Sequence, residues 1–188
     1  PRSSTYHLLR ELEDSGFVVH LSQAGTYGLG LASYRMAQAY TTQQPLVRLA
    51  TAPLARIAEL AGGSAHLTRL AGAETVYLHE VRAPGAASLV TEVGVRLPTL
   101  STASGRIMLA HLPEPELRAV FNASGSRRSF RECKEELHAY RRQGWATESQ
   151  DVSRGQESVA VAVLDHLSRP AAALAVTYPV GSADERKL

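Results

Sequence analysis

The stretch "PRSSTYHLLRELEDSGFVVHLSQAGTYGLG", residues 1–30, decides how the first part of the chain folds. Its apolar or small residues follow the spacing of one buried helical stripe, which predicts a helix over residues 3–14: Thr5, Leu8, Leu9 and Leu12. Gly16 stands where a helix commonly ends on a left-handed residue. Residues 17–21 and 26–29 then have the composition of two short strands joined by a turn. Because a helix and a small hairpin bury little surface alone, this unit needs packing partners.

The face of this helix opposite its leucines carries groups that suit nucleic acid. Hydroxyl, imidazole and guanidinium groups can meet phosphates or base edges, and a helix followed by a hairpin is the second half of a winged helix-turn-helix. A plain amphipathic surface helix fits the same pattern. The candidate DNA-facing residues, of which Thr5 also fits the buried stripe, are Arg2, Ser3, Thr5, Tyr6, His7 and Arg10.

The remainder of the sequence predicts an α/β chain of the α+β type, with one sheet and helices on one side of it. Helical spacing predicts helices over residues 31–40, 46–62, 102–112, 113–121 and 130–144. Short apolar or β-branched runs predict strands over residues 64–70, 75–81, 88–94, 158–165 and 171–179. Pro53 lies inside the second of these helices and predicts a kink there.

Composition excludes several classes of protein. The formal net charge of 188 residues is only +2, so contact with nucleic acid requires a local basic patch. The single cysteine, Cys133, excludes an internal disulfide framework and is expected to be inert. No apolar run reaches the length of a membrane span, so we expect a cytoplasmic protein without membrane contact. The seven histidines are scattered and no Gly-x-Ser-x-Gly elbow is present; we therefore expect no metal, no cofactor and no enzymatic activity.

Three stretches, in the same order and at similar spacing, resemble the IclR family of bacterial transcriptional regulators. They are "PRSSTYHLLRELEDSGFV" followed by "TYGLG", "RLPTLSTASGRIMLAHLP" (96–113) and "YRRQGWATESQDVSRGQESVAVAVLDHLSRPAAALAVTYP" (140–179). The resemblance implies a winged helix-turn-helix whose first two helices would lie before Pro1, with its C-terminal part in residues 1–30. It further implies a linker helix (31–45) and a GAF-like mixed sheet with helices packed on it (46–188). Finally, it implies that the protein acts as a dimer or a dimer of dimers.

The resemblance also implies a small-molecule effector in the second domain. The positions matching the family's effector contacts are Ala86, Leu89, Leu97, Ala103, Ser104, Glu148, Ser158, Ala175 and Thr177. The segment "STASG" (101–105) begins a helix and offers free N–H groups to a carboxylate, so we expect an organic acid or related metabolite. Ordinary helix capping explains these hydroxyl residues equally well. Ala175, in place of a hydroxyl residue, points to a less polar pocket and argues against a small keto acid.

Together these features predict a transcriptional regulator of the repressor type, whose binding to double-stranded operator DNA is controlled by the effector. The alternative is a GAF-like sensor that acts through protein partners, with the winged segment as a dimerisation element. An enzyme ranks third, since Glu148 alone does not make a convergent acid/base pair.

Overall fold

The computed structural model describes residues 2–43, 45–86 and 92–182. The chain divides into two compact units, Pro1–Arg48 and Leu49–Leu188. The elements of the first are α1 (Arg2–Asp14), β1 (Val18–Leu21), β2 (Thr26–Leu29) and α2 (Leu31–Gln43). This order confirms the helix, hairpin and second helix predicted from the sequence.

The end of α1 shows why the sequence folds this way. Gly16 adopts a left-handed conformation with φ of +75°. Its N–H donates to the Glu13 carbonyl at 2.9 Å and the N–H of Phe17 donates to the Leu12 carbonyl at 2.8 Å. This is the pair of bonds by which a glycine closes a helix C-terminus, and it turns the chain directly into β1.

The predicted buried stripe is only partly covered within the described residues. Leu9 and Leu12 are half-buried, but Leu8 is 62% exposed and Thr5 is also exposed. Within this unit α1 packs against β1, and a hairpin of two four-residue strands covers only part of the helix surface. The side of α1 that carries Leu8 is therefore left open among the described residues.

The remaining elements are a six-stranded sheet and the helices around it. They are α3 (Pro45–Ala61), β3 (Ser64–Ala71), β4 (Glu74–Arg82), β5 (Arg96–Pro98), a 3-10 turn (Thr99–Ser101), α4 (Ala103–Leu109), α5 (Glu114–Ala123), α6 (Phe130–Gln143), β6 (Trp145–Ser149), β7 (Gln156–Leu164) and β8 (Pro170–Pro179). The strand order is β5-β4-β3-β8-β7-β6 and every described pairing is antiparallel. The α+β class is confirmed; the sheet, which was expected to be mixed, is antiparallel in every described pairing.

Helices lie against both faces of this sheet, and the prediction of helices on one side only is wrong. α4 packs on β6, β7 and β8, with α6 behind it. On the other face, the Thr51 hydroxyl of α3 lies 3.3 Å from Nε2 of His79, which is opposite Leu67 in the register. Five consecutive residues, Ser64–Thr68, are buried, which requires cover on both faces because successive side chains alternate.

Two strands were not predicted from the sequence. β5 has three residues and ends on a proline, while β6 reads "WATES", a composition typical of a loop. Of the strand predicted over residues 88–94, residues 88–91 lie outside the described part of the chain and residues 93–94 form a turn. The helix α3 continues through Pro53.

Candidate functional site

A cavity lies between the first turn of α4 and the face of the sheet formed by β4, β8, β7 and β6. Together with its mouth it measures about 360 Å³, but the part that admits the centre of a water molecule is about 10 Å³, or room for one water. Its lining is mostly small and polar: Tyr77, Thr102, Ala103, Ser104, Glu148, Val152, Ser153, Gln156, Ser158, Ala175 and Thr177. The cavity is thus closed in this structure, and an organic ligand requires its walls to move apart.

The first turn of α4 is set by the "STASG" segment. Thr102 is the N-cap, and its hydroxyl accepts from the Gly105 N–H at 3.0 Å. A Cβ at Gly105 would lie 2.1 Å from the Thr99 carbonyl oxygen, so only glycine lets α4 lie this close to the preceding turn. That close approach places Ala103 and Ser104, both buried, over the sheet. The capping interpretation therefore holds for Thr102, while Ser104 lines the cavity.

A row of polar side chains crosses three neighbouring strands on the floor of the cavity. Glu148 of β6 is opposite Ser158 of β7, which is opposite Thr177 of β8. The Ser158 hydroxyl donates to Oε1 of Glu148 at 2.5 Å and lies 2.9 Å from the Thr177 hydroxyl. Because serine has one hydroxyl hydrogen and gives it to the carboxylate, Thr177 is the donor in the second bond. The row therefore presents only oxygen lone pairs to the cavity.

The loop between β6 and β7 covers this row. Gln150 has a positive φ of 61° and its side-chain oxygen accepts from the Gly155 N–H at 3.0 Å. The N–H of Asp151 donates to Oε2 of Glu148 at 3.1 Å, so the loop is tied to the buried carboxylate. Val152 and Ser153 of the same loop line the cavity. Glu148 is therefore bonded both to a strand of the cavity floor and to the loop that covers it.

Arg106 ties the same loop to α4. Its guanidinium donates to the carbonyl oxygens of Leu100 and Thr147, both at 2.8 Å, and to Oδ2 of Asp151 at 2.5 Å. These three bonds hold the guanidinium outside the cavity lining. Among the described residues that line the cavity there is no lysine, arginine or histidine, whereas Glu148 supplies a carboxylate. That the effector is an organic acid therefore remains a prediction, and the lining offers no cationic side chain to pair with a carboxylate.

Tyr77 of β4 closes the cavity on the side of β3. Burial raises the pKa of its phenol, the carboxylate of Glu148 raises it further, and a hydrogen bond with Ser104 acts in the opposite direction. The phenol is therefore protonated throughout the physiological range and available as a hydrogen-bond donor. Its ring meets the ring of His66 edge to face, with centroids 5.3 Å apart.

Six of the nine effector positions predicted from the sequence line this cavity: Ala103, Ser104, Glu148, Ser158, Ala175 and Thr177. Ala86 and Leu97 are described but are not part of the lining, and Leu89 lies outside the described residues. Apart from Thr102, which belongs to the "STASG" segment, the residues of the lining that were not predicted from the sequence are Tyr77 and three that reach the cavity from the β6–β7 loop and the start of β7: Val152, Ser153 and Gln156. The cross-strand register determines Tyr77's place, and no local pattern in the sequence signals it.

The candidate DNA-facing residues lie on α1. The side chains of Thr5, Tyr6, His7 and Arg10 are exposed, with Tyr6 at 68%. Arg2 and Ser3 belong to the same helix by their backbone, and their side chains lie outside the described part. The four described side chains are thus free to meet a partner molecule.

Other sites weighed in the sequence analysis find little in the structure. Cys133 is 3% exposed, and burial is the main reason that the pKa of its thiol is raised, as expected of an inert thiol. In the described ranges no group of three or more His, Cys, Asp or Glu side chains is arranged to hold a metal ion. None of the helices in those ranges has the length and apolar character needed to cross a bilayer.

Comparison with known proteins identifies the family. A sequence profile described as "Bacterial transcriptional regulator IclR C-terminal" matches residues 38–188. The chain is 28% identical over 194 residues to the HTH-type transcriptional regulator XynR of Escherichia coli, covering all of this chain and 77% of XynR. It is 23% identical over 186 residues to the HTH-type transcriptional repressor AllR of the same species, covering 95% of this chain and 69% of AllR.

A solved structure agrees with these sequence matches. The crystal structure of the Thermotoga maritima IclR superposes with a TM-score of 0.78 at 26% identity, covering 98% of this chain and 77% of that one. The profile match extends over most of the chain, and the two relatives are regulators of transcription with a helix-turn-helix. The chain therefore belongs to the IclR family of bacterial transcriptional regulators, DNA-binding proteins that respond to small-molecule effectors.

Proposed function

We propose that this protein controls transcription by binding operator DNA through α1 and a small molecule through the cavity beneath α4. The observation that carries the proposal is the row of Glu148, Ser158 and Thr177 on the cavity floor, of which Glu148 and Ser158 are buried and Thr177 is half-buried. An interior that needs only to pack has no use for a carboxylate and two hydroxyls, which must be hydrogen-bonded to one another to be tolerated there, so such a row is typical of a site that recognises a polar ligand.

The chain is proposed to have three functional segments. Residues 1–30 form the C-terminal part of a winged helix-turn-helix, residues 31–45 a linker helix, and residues 46–188 the GAF-like effector-binding domain. The break between the compact units after Arg48 and the profile match from residue 38 onward support a separate domain in the later part of the chain. The protein acts in the cytoplasm, by binding and not by catalysis.

Regulation follows from the spacing of two DNA-reading helices. In a homodimer, or a dimer of dimers, the two recognition helices meet successive major grooves only at the correct separation. An effector that binds one dimer geometry more tightly than another shifts the population towards that geometry, and operator affinity changes with it. Arg2, Ser3, Thr5, Tyr6, His7 and Arg10 are the proposed DNA contacts, and the described members of this set are exposed.

Arg10→Ala in the full-length protein tests the DNA contact. Loss of one charged contact to a phosphate or base is expected to weaken binding to the DNA upstream of its own gene by roughly five- to tenfold and to lower the salt dependence. Size-exclusion chromatography should show an unchanged oligomer. A binding isotherm at matched salt that equals that of the wild type would contradict the proposed contact, and the absence of salt-sensitive retardation of this DNA by the wild-type protein would favour a sensor that acts through protein partners.

Ser104→Trp tests the cavity. Ser104 is 1% exposed and lines the cavity, so an indole there fills the space that a ligand needs. Compounds that raise the melting temperature of the wild-type protein should not raise that of the variant. Stabilisation that persists in the variant would place the effector elsewhere.

A further inference from the structure

Strand β3 carries three polar residues at alternate positions that are entirely buried. Ser64, His66 and Thr68 are 1%, 1% and 0% exposed. The two hydroxyl oxygens and both ring nitrogens of His66 have no hydrogen-bond partner among the residues that the structure describes. Four polar atoms without partners on one strand face are unusual in a folded interior, where buried polar groups are nearly always bonded.

These residues continue the floor of the effector cavity. Ser64 is opposite Thr177, and His66 is opposite Ala175; both partners line the cavity. Directly opposite residues in an antiparallel pair project from the same face, so the row from β6 to β8 extends onto β3. Tyr77 borders both regions, since it lines the cavity and its ring contacts that of His66. The three polar residues of β3 therefore continue the cavity floor directly beyond Tyr77.

The hydrogen-bonding character of this floor selects a class of ligand. Thr177 and Ser158 give their hydrogens within the row, so they and Glu148 offer acceptors and call for a ligand that donates. On β3 each of the two hydroxyls is both a donor and an acceptor. The His66 ring is both as well, because burial keeps it neutral with a pKa of about 4. A carboxylate cannot donate and meets Glu148, and an ammonium cannot accept. A hydroxyl group does both.

We propose that Ser64, His66 and Thr68 form a buried subsite of the effector cavity beneath Tyr77, and that this subsite takes the hydroxyl groups of a neutral polyol or sugar. The inference rests on the proposed effector function, because it extends the same cavity. It assigns the ligand's hydroxyl-bearing end to β3 and the rest of the ligand to the space beneath α4.

Two shape-conserving substitutions, Ser64→Ala and Thr68→Val, test the subsite. Each removes a hydroxyl that has no described partner, so the melting temperature without ligand should stay the same or rise. Loss of a ligand hydrogen bond should weaken binding by roughly three- to tenfold for each variant. Thr99→Val is the matched control, because Thr99 is equally buried and its hydroxyl likewise finds no described partner, but it does not line the cavity.

The probes are sorbitol, myo-inositol and D-glucose, with D-gluconate as the acid that matches sorbitol in carbon skeleton. Thermal shift and isothermal titration calorimetry are run on the wild type, the three variants and Ser104→Trp at probe concentrations up to 100 mM. The inference predicts that at least one neutral probe binds the wild type and Thr99→Val alike, binds the β3 variants more weakly, and does not bind Ser104→Trp.

The other outcomes overturn the inference in distinguishable ways. A neutral probe that binds all β3 variants as tightly as the wild type, but not Ser104→Trp, leaves the cavity as the effector site and shows that β3 holds water only. Binding of gluconate without any neutral probe, or of no probe at all, refutes the ligand class. Binding that persists in Ser104→Trp contradicts the proposed location of the effector site itself.

Discussion

The pH dependence of stability isolates the contribution of one buried side chain, His66. Burial lowers the pKa of its imidazole from the usual 6.5 to about 4; the negative charge of Glu80 opposes this shift and the positive charge of Arg82 adds to it. Glu80 faces His66 in the register, and Tyr77 packs against its ring. The folded state therefore holds a neutral ring at a pH where the unfolded chain already binds a proton.

The sign and size of the effect follow from this difference in pKa. The contribution of neutral His66 to the free energy of unfolding is complete above pH 6.5, is lost as the pH falls, and is gone near pH 4. The reason is that the unfolded state binds the proton first. At about 1.36 kcal/mol for each pKa unit, the total is about 3 kcal/mol, of which about 2 kcal/mol is lost by pH 5. For a chain of this size that loss corresponds to a fall in melting temperature of roughly 4 to 8 °C.

His66→Gln removes the titrating group and keeps a polar side chain. Urea unfolding of the wild type and the variant, without ligand, is measured between pH 7.5 and 5. Carboxylates titrate in both proteins and cancel in the difference, so the wild type should lose about 2 kcal/mol more than the variant over this range. His111→Gln is the control: burial followed by the charge of Arg141 lowers the pKa of that ring too, but the ring is only partly buried, so the difference should be smaller. Parallel profiles for wild type and His66→Gln would refute the reasoning.

Two further substitutions test how the cavity is built. In Gly105→Ala the new Cβ would lie 2.1 Å from the Thr99 carbonyl oxygen, so α4 must move away. We expect about 3 kcal/mol of destabilisation in urea unfolding. An unchanged unfolding midpoint would show that the close approach is absent. Glu148→Ala removes the acceptor for the Ser158 hydroxyl and the Asp151 N–H, which should lower the free energy of unfolding by about 1–3 kcal/mol and reduce the melting temperature. A melting temperature equal to that of the wild type would mean that neither bond contributes to stability.

Elements whose ends are marked by local chemistry were predicted well from the sequence. Gly16 closes the end of α1. Ser129 caps the start of α6 through a reciprocal pair of bonds with Glu132, and Gly144, with a φ of +90°, caps its end. Each of these signals acts within a few residues along the chain. The helix–hairpin order and both closing strands, β7 and β8, could therefore be derived without knowledge of the tertiary structure.

Strands that are defined by pairing with distant residues could not be predicted from the sequence. Residues 145–149 contain a charged side chain and a serine, a composition typical of a loop, yet they pair with β7 along their whole length. Glu148 is tolerated inside β6 because Ser158 and the Asp151 N–H satisfy its two oxygens. Likewise, a bulge between Leu67 and Thr68 sets the register of β4 against this part of β3, and thereby places Tyr77 on the cavity side. These facts depend on residues far apart in the sequence.

The strand β3 shows where local reasoning reaches its limit. The run "SAHLT" (64–68) alternates polar and apolar residues, a pattern typical of a strand with one face in water. In the structure both faces are dry: Ala65 and Leu67 are 0% exposed on one, and His66 and its polar neighbours are covered on the other. Apolar residues on the covered face would pack at lower cost, since buried groups without partners are unfavourable. The polar alternation of β3 is therefore better explained by a ligand that bonds to these groups than by the stability of the fold.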